Sequence, residues 1–301
     1  MMNFIKNARI FLHNMKLLSK QHIESLQWDN IQYTKSLILY GNLLEDKPEK
    51  KLHILDNENT LDCLLHELKT FYRFGDAEIN IMLNEVPNKK TCSQRYDVTL
   101  AKKLYEALTS ERDDVYIGIG YRYFYYNIWD SDTYSNKFFT LNGKKYRDFF
   151  LNNCDPKRTY LATDFNQYYF TVDENKQDDW FRKVKLLFKG RKICLFMGEE
   201  TYNNLKYYVF DEAEHIETIM CPSRDSFDKF DELFLLADKR PNDEILCFAI
   251  GPTSKVLCYE LNKKGKICLD IGHLPKDYDS YMRKLDKSPE AVEKFYKGDY
   301  T

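Results

Sequence analysis

The chain has 301 residues, with 45 Lys+Arg against 47 Asp+Glu and a formal net charge of −2 at pH 7. That near-balance excludes a general nucleic-acid binder, which needs surplus positive charge to displace counterions from phosphates. At 43% hydrophobic and 15% aromatic residues the chain is too apolar for intrinsic disorder, and it is long enough for one large domain or two modest ones.

Over residues 3–44 the apolar side chains Phe4, Ile5, Ile10, Phe11, Met15, Leu17 and Leu18 recur near the helical period with lysines between them, which predicts an N-terminal helical segment. His13 and Asn14 interrupt its apolar stretch and no small-residue cleavage site follows. It does not read as a secretory leader, and the chain is expected in the cytoplasm. A charge-rich connector containing Pro48 separates this extension, residues 1–55, from a main domain over 56–301 that opens with a helix capped by Thr60.

Further along, short apolar runs each stop at a glycine or proline: 115–120, 193–198, 216–222, 245–251 and 267–272. Runs that are apolar throughout suit strands covered on both faces. Helix-like stretches at 180–187, 227–236 and 254–261 alternate with several of them. The pattern predicts an α/β fold with a doubly wound, mainly parallel sheet. No run approaches the roughly 18 apolar residues of a membrane span. The eight cysteines include no C-x-x-C pair, so buried thiols are expected rather than zinc or disulfide frameworks.

In such a sheet the ligand crevice lies beyond the carboxyl ends of the strands. Four ends carry small and polar residues there: Gly198, Glu199, Glu200 and Thr201; Cys221, Pro222, Ser223 and Arg224; Gly251, Pro252, Thr253 and Ser254; Asp270, Ile271, Gly272 and His273. The turn at Gly251, Pro252 and Thr253 reads either as a phosphate cradle, with Thr253 adding a hydroxyl, or as an ordinary strand-to-helix turn. His273 brings an imidazole to the crevice.

Arg73, Phe74, Gly75, Asp76, Ala77 and Glu78 place two carboxylates two positions apart after a glycine. On an extended backbone Asp76 and Glu78 point the same way and suit one Mg²⁺ or Mn²⁺; on a helix they point apart. The alternative is a helix start with Asp76 as its cap. The run Tyr121, Arg122, Tyr123, Phe124, Tyr125 and Tyr126, with Trp129, suits stacking on sugars or packing in a core.

Together these segments resemble the GT-D-fold glycosyltransferases, a family formerly catalogued as a bacterial domain of unknown function. The resemblance rests on the segment from Arg73 to Glu78, on Gln94, Arg95, Tyr96 and Asp97 followed by Leu100 to Leu104, and on an ordered C-terminal set. That set is Cys221-Pro222, Phe227 to Asp231, Gly251 to Thr253 with Val256 and Leu257, and Asp270 to His273; the match covers about residues 56–285. It implies a Rossmann-like fold and transfer from a nucleotide-sugar, a UDP-sugar, to a glycan or glycoprotein acceptor. It further implies that Asp76 and Glu78 form a D-x-E motif associated with Mn²⁺ or Mg²⁺, and that Gly251, Pro252 and Thr253 lie near the donor diphosphate. It implies as well that Arg73 and His273 line the same site; Gly75 and Thr201 are expected there too, and His273, Glu199 and Glu200 are candidate bases by their location at strand ends.

At 203–208 the chain carries Asn203, Asn204, Leu205, Lys206, Tyr207 and Tyr208 in place of a smaller stretch, side chains expected to narrow the pocket. Two rival functions use the same residues: a metal-dependent phosphodiesterase or nucleotidase, and a non-catalytic nucleotide-sugar-binding module. Residues 1–50 are a candidate docking segment for a partner transferase or the inner membrane surface.

Overall fold

A computed structural model describes residues 52–86, 93–125, 133–171 and 174–288, together with Gln27, Thr34, Ala291 and Phe295. Apart from Gln27 and Thr34, both helical, the predicted N-terminal segment and its connector lie outside the described residues, as do Cys92, Tyr126 and Trp129.

The strands are β1 (His53–Ile54), β2 (Thr70–Phe74), β3 (Val115–Ile119), β4 (Thr159–Ala162), β5 (Lys192–Gly198), β6 (His215–Cys221), β7 (Glu244–Ala249) and β8 (Ile267–Asp270). They form one eight-stranded sheet in the order β1-β4-β3-β2-β8-β7-β5-β6, with every pairing parallel. The helices in chain order are α1 (Asn57–His66), α2 (Asp76–Met82), α3 (Val98–Leu108), α4 (Thr133–Asn153), α5 (Tyr168–Thr171), α6 (Glu174–Leu186), α7 (Glu199–Asn204), α8 (Phe230–Asp238), α9 (Thr253–Asn262) and α10 (Leu274–Arg283).

Alternation along each strand divides the core in two. Tyr72, Phe74, Cys194, Phe196, Leu246 and Phe248 face one side, under α2, α3, α4, α8 and α9. Phe71, Ile193, Leu195, Met197, Ile245 and Cys247 face the other, under α1, α6 and α10. Both faces are dry, so the central strands are apolar throughout and each large buried side chain contributes about 1.5–3 kcal/mol. The doubly wound reading holds.

The five runs expected as strands are strands. β1, β2 and β4 were not expected: they have two, five and four residues, and β2 carries Arg73 in a position buried on both faces. Because His53–Ile54 pairs with β4, the sheet domain begins before residue 56, and the predicted boundary cuts off its edge strand. Thr60 is not a cap. Asp56 caps α1 by accepting from the Asn59 amide at 2.8 Å, and the buried Thr60 hydroxyl accepts from the Ala162 amide at 2.8 Å. The stretch at 227–236 starts as a 3-10 turn, Ser226–Lys229, before becoming α8.

β2 and β8 lie side by side at the centre of the sheet, and their connections leave in opposite directions: β2 leads to β3 on one side, while β8 is flanked by β7, β5 and β6 on the other. That reversal is the topological switch point at which parallel sheets open a crevice.

Candidate active site at the β2–β8 switch point

Four buried charged residues knit the crevice floor. Arg73, near the end of β2, donates from Nε to the Asp270 carbonyl at 2.8 Å, from Nη1 to the Thr163 carbonyl at 2.9 Å and from Nη2 to Asp270 Oδ1 at 3.1 Å. Its backbone N–H reaches Asp270 Oδ2 at 3.2 Å. One side chain thus ties the ends of β2, β4 and β8 together. Lys255, in the first turn of α9, places Nζ 3.0 Å from Glu78 Oε1 and 3.2 Å from Asp270 Oδ2, and donates to the Gly251 carbonyl at 3.2 Å. Burial opposes its charge, but Asp270 and Glu78 outweigh burial and raise its pKa. Removed from water, the four ions are tolerable only because each is paired.

The carboxylates of the D-x-E sequence part company. The backbone from Asp76 is helical, not extended, and the cap of α2 is Gly75 rather than Asp76. Glu78 folds back so that its Oε2 accepts from the Gly75 amide at 2.8 Å, while Oε1 faces Lys255. Both Glu78 oxygens are committed, and the expectation of a side-by-side pair on an extended backbone is corrected. Asp76 is exposed, yet burial beneath the surrounding protein, then Glu78 and more weakly Asp164, raise its carboxyl to about 6. Solvent contact combined with poor solvation describes a group on the floor of a crevice.

Asp76 is open to a divalent cation as a protein ligand, whereas each Glu78 oxygen already faces one protein donor. Among the described residues no group of three His, Cys, Asp or Glu is arranged to hold a metal. Such a donor set suits Mg²⁺ or Mn²⁺, which bind through one or two carboxylates and complete their shell with substrate phosphates and water.

The turn of Gly251, Pro252 and Thr253 is sealed rather than open. Thr253 is fully buried and its hydroxyl points at Gln94 Oε1, 3.5 Å away. The Ser254 and Lys255 amides turn back onto the carbonyls of Gly251 and Pro252. Gly251 has φ +65°, and a β-carbon there would lie 3.2 Å from Ser93 Oγ. The expected phosphate cradle is therefore covered by Ser93 and Gln94, and the turn serves the crevice indirectly, by starting the helix that carries Lys255.

His273 precedes α10 and is partly buried. Burial, with the nearby charges of Lys276, Arg73 and Lys255, holds its imidazole well below 6.5, so it is neutral at pH 7. Lys276, one turn on, is buried and donates to the Phe295 carbonyl at 2.9 Å; burial lowers its pKa to about 8, against the pull of Glu200. Glu199 and Glu200 are exposed in the first turn of α7, and Thr201 is half-buried beside them. The Glu200 amide donates to Ser223 Oγ at 2.9 Å, joining the β5 and β6 ends.

Of the aromatic run, Tyr123 and Phe124 are buried, and Tyr123 packs on Phe139, Tyr146 and Phe150, while Tyr121 is half-buried and Tyr125 exposed; the core reading holds for the middle of the run. Tyr207 and Tyr208 are 43% and 38% exposed; the Lys206 and Tyr207 amides donate to the buried Asp279, turning these side chains outward instead of narrowing a pocket. Lys255, Lys276 and Asp164 were not singled out from sequence. Each looks like an ordinary surface charge until the fold buries it.

A family model described as glycosyltransferase GT-D fold matches residues 71–297. The chain is 26% identical over 273 residues to glycosyltransferase GlyD of Streptococcus pneumoniae serotype 4, covering 89% of this chain and 31% of that protein. It is 25% identical over 249 residues to the probable glycosyl transferase Gly of Streptococcus gordonii, covering 79% of this chain and 34% of that protein. It thus spans about a third of the length of these curated relatives. Among solved structures, a selenomethionine-substituted domain of unknown function 1792 superposes with TM-score 0.70 at 26% identity, over 79% of this chain and 84% of that one. A structure described as a new glycosyltransferase from Streptococcus sanguinis superposes with TM-score 0.70 at 24% identity, over 78% of this chain and 86% of that one.

Proposed function

The chain belongs to the glycosyltransferase GT-D fold family, and from that premise we propose that it transfers a sugar from a UDP-sugar to a glycan or glycoprotein acceptor with the help of a divalent cation. The observation that carries this reading is Asp76, a solvent-reachable carboxylate next to Glu78 on the floor of the switch-point crevice, whose cations Arg73 and Lys255 are already neutralised by Asp270 and Glu78.

Breaking the anomeric bond leaves negative charge on the departing diphosphate, so the chief catalytic need is electrostatic. Arg73 and Lys255 have their carboxylate partners in place and carry little surplus charge toward a ligand. Mn²⁺ or Mg²⁺ bound at Asp76 would supply that charge. Lys276 adds an ammonium near the crevice wall, and Arg73 keeps the ends of β2, β4 and β8 in fixed relation. An inverting reaction also needs a base near the acceptor hydroxyl, and the candidates are His273, neutral at pH 7, and Glu199 and Glu200, exposed in the first turn of α7.

Calorimetric titration of UDP into the purified chain, with and without Mn²⁺, tests the reading. Metal-dependent binding that Asp76→Asn abolishes is the expected result. Absence of UDP binding under every condition overturns the donor assignment, and donor hydrolysis without transfer across a broad acceptor screen favours a phosphodiesterase instead. Among the described residues no helix is long and apolar enough to cross a membrane. A cytoplasmic site of action, peripheral to the inner membrane face, and docking through residues 1–50 belong to the same proposal.

A further inference from the structure

His273 and Lys276 stand one turn apart at the start of α10, where the chain leaves the switch point. Gly272, just before them, is pressed against the Arg73 guanidinium and has no room for a β-carbon. Lys276 in turn lies within reach of the charge of Glu200 at the end of β5. Both groups therefore belong to the wall of the crevice.

A residue from beyond α10 meets both of them. Phe295 is buried, and its ring centroid lies 5.6 Å from that of His273 and 4.6 Å from that of Phe170 in α5. Its carbonyl accepts from Lys276 Nζ at 2.9 Å, and the same Nζ stands 5.0 Å from the centre of its ring. One residue thus gives the imidazole an aromatic neighbour and the ammonium a fixed acceptor. A carbonyl sets the direction of an ammonium N–H and adds no countercharge of its own. The slot that receives Phe295 is itself held together, because the Tyr169 amide of α5 donates to Asp277 of α10 at 3.1 Å.

We propose that Phe295 is a positioning residue, which holds the His273 imidazole and the Lys276 ammonium in place on the crevice wall. Its bearing on catalysis rests on the reading of His273 as a candidate base in sugar transfer. The charges that act on the imidazole are cationic: Lys276 from its own helix, Arg73 from β2 and Lys255 from α9. α5 has no charged side chain, and Asp164, in the turn packed on α10, accepts the Arg122 amide. With Phe295 cut back, water reaches the ring and solvates its charged form, so its proton affinity rises toward the ordinary histidine value of 6.5.

The test is proton NMR of the full chain, with the His273 ring assigned from the signal lost in His273→Gln. In wild type, nuclear Overhauser effects are expected between that ring and a phenylalanine ring, and they should vanish in Phe295→Leu. Their absence from wild type, where no variant has to fold, overturns the assignment, as does their survival in Phe295→Leu. A pH titration then compares wild type with Phe295→Ala and Phe295→Leu, each also followed by thermal unfolding. Phe295→Ala should raise the His273 midpoint by at least about one pH unit, and Phe295→Leu, which keeps an apolar cover, should raise it less. A folded Phe295→Ala with the wild-type midpoint overturns the proposal, since loss of packing alone lowers the melting temperature and leaves the titration where it was. UDP calorimetry on the same samples keeps the two readings apart. Wild type that fails to bind UDP overturns the donor assignment, while the resonance of His273 decides the role of Phe295 by itself.

Discussion

Lys276 shows how the crevice trades stability for charge. Its ordinary pKa is 10.5 and burial lowers it to about 8, so the folded state binds its proton more weakly than the unfolded chain does. Sign follows from linkage: the charged lysine costs stability below about pH 8, and that cost fades as pH rises from 8 toward 10.5. Lys276→Met should be more stable than wild type at pH 7, by up to about 3 kcal/mol less the lost bond to the Phe295 carbonyl, with the gap closing through that window. Urea unfolding of both proteins at pH 7 and pH 10 measures it; a constant gap would argue against burial of the charge. At this scale the sequence exposed Arg73, Asp76 and His273, whose neighbours are glycines and strand ends. It hid Lys255 within a helical stretch, because the carboxylates that make its burial possible, Glu78 and Asp270, arrive from other elements.

Among elements, the junction between β8 and α10 is the tightest. Gly272 has φ +47°, and a β-carbon there would lie 2.0 Å from Arg73 Nη2 and 2.6 Å from Asn166 Nδ2. Gly272→Ala should therefore cost more than about 2 kcal/mol, combining left-handed strain with displacement of the Arg73 clamp. Thermal unfolding reads the first effect, and UDP calorimetry should show weaker binding from the second. A variant that melts and binds like wild type would mean that Arg73 has another place to go. The five longer apolar runs were legible as strands because burial on both faces leaves a continuous signature. β2 was not, since an arginine near its end reads as a break until Asp270 and the Thr163 carbonyl are seen to satisfy it. The helical start at Asp76 was legible only as one of two readings, because spacing alone does not decide between strand and helix at a five-residue strand.

Across the whole molecule, the doubly wound sheet was foreseeable from alternating strand and helix signals, whereas the strand order was not. Nothing in the periodicity says that the last strand in sequence takes a central position beside β2. The same topology leaves β6 as an edge strand with Ile216 and Met220 exposed, and the crevice opens at the carboxyl ends, away from the residues that start the strands. For the proposed docking through residues 1–50, removal of that segment should abolish pull-down of a partner transferase while UDP binding persists; undiminished capture would dismiss it.

Arg73 meets Asp270 across 197 positions of sequence, and this has a consequence for biosynthesis. During translation β2, β3 and β4 are made long before β8, and through that interval Arg73 waits without its carboxylate and β2 has one unpaired edge. The nascent chain therefore passes through a stage in which half the sheet is available and the switch-point crevice does not yet exist. Closing so distant a contact is slow compared with forming local helices. The proposed donor site comes together only when β8 slots between β2 and β7, so the ribosome delivers nearly all of the sheet before that site can form.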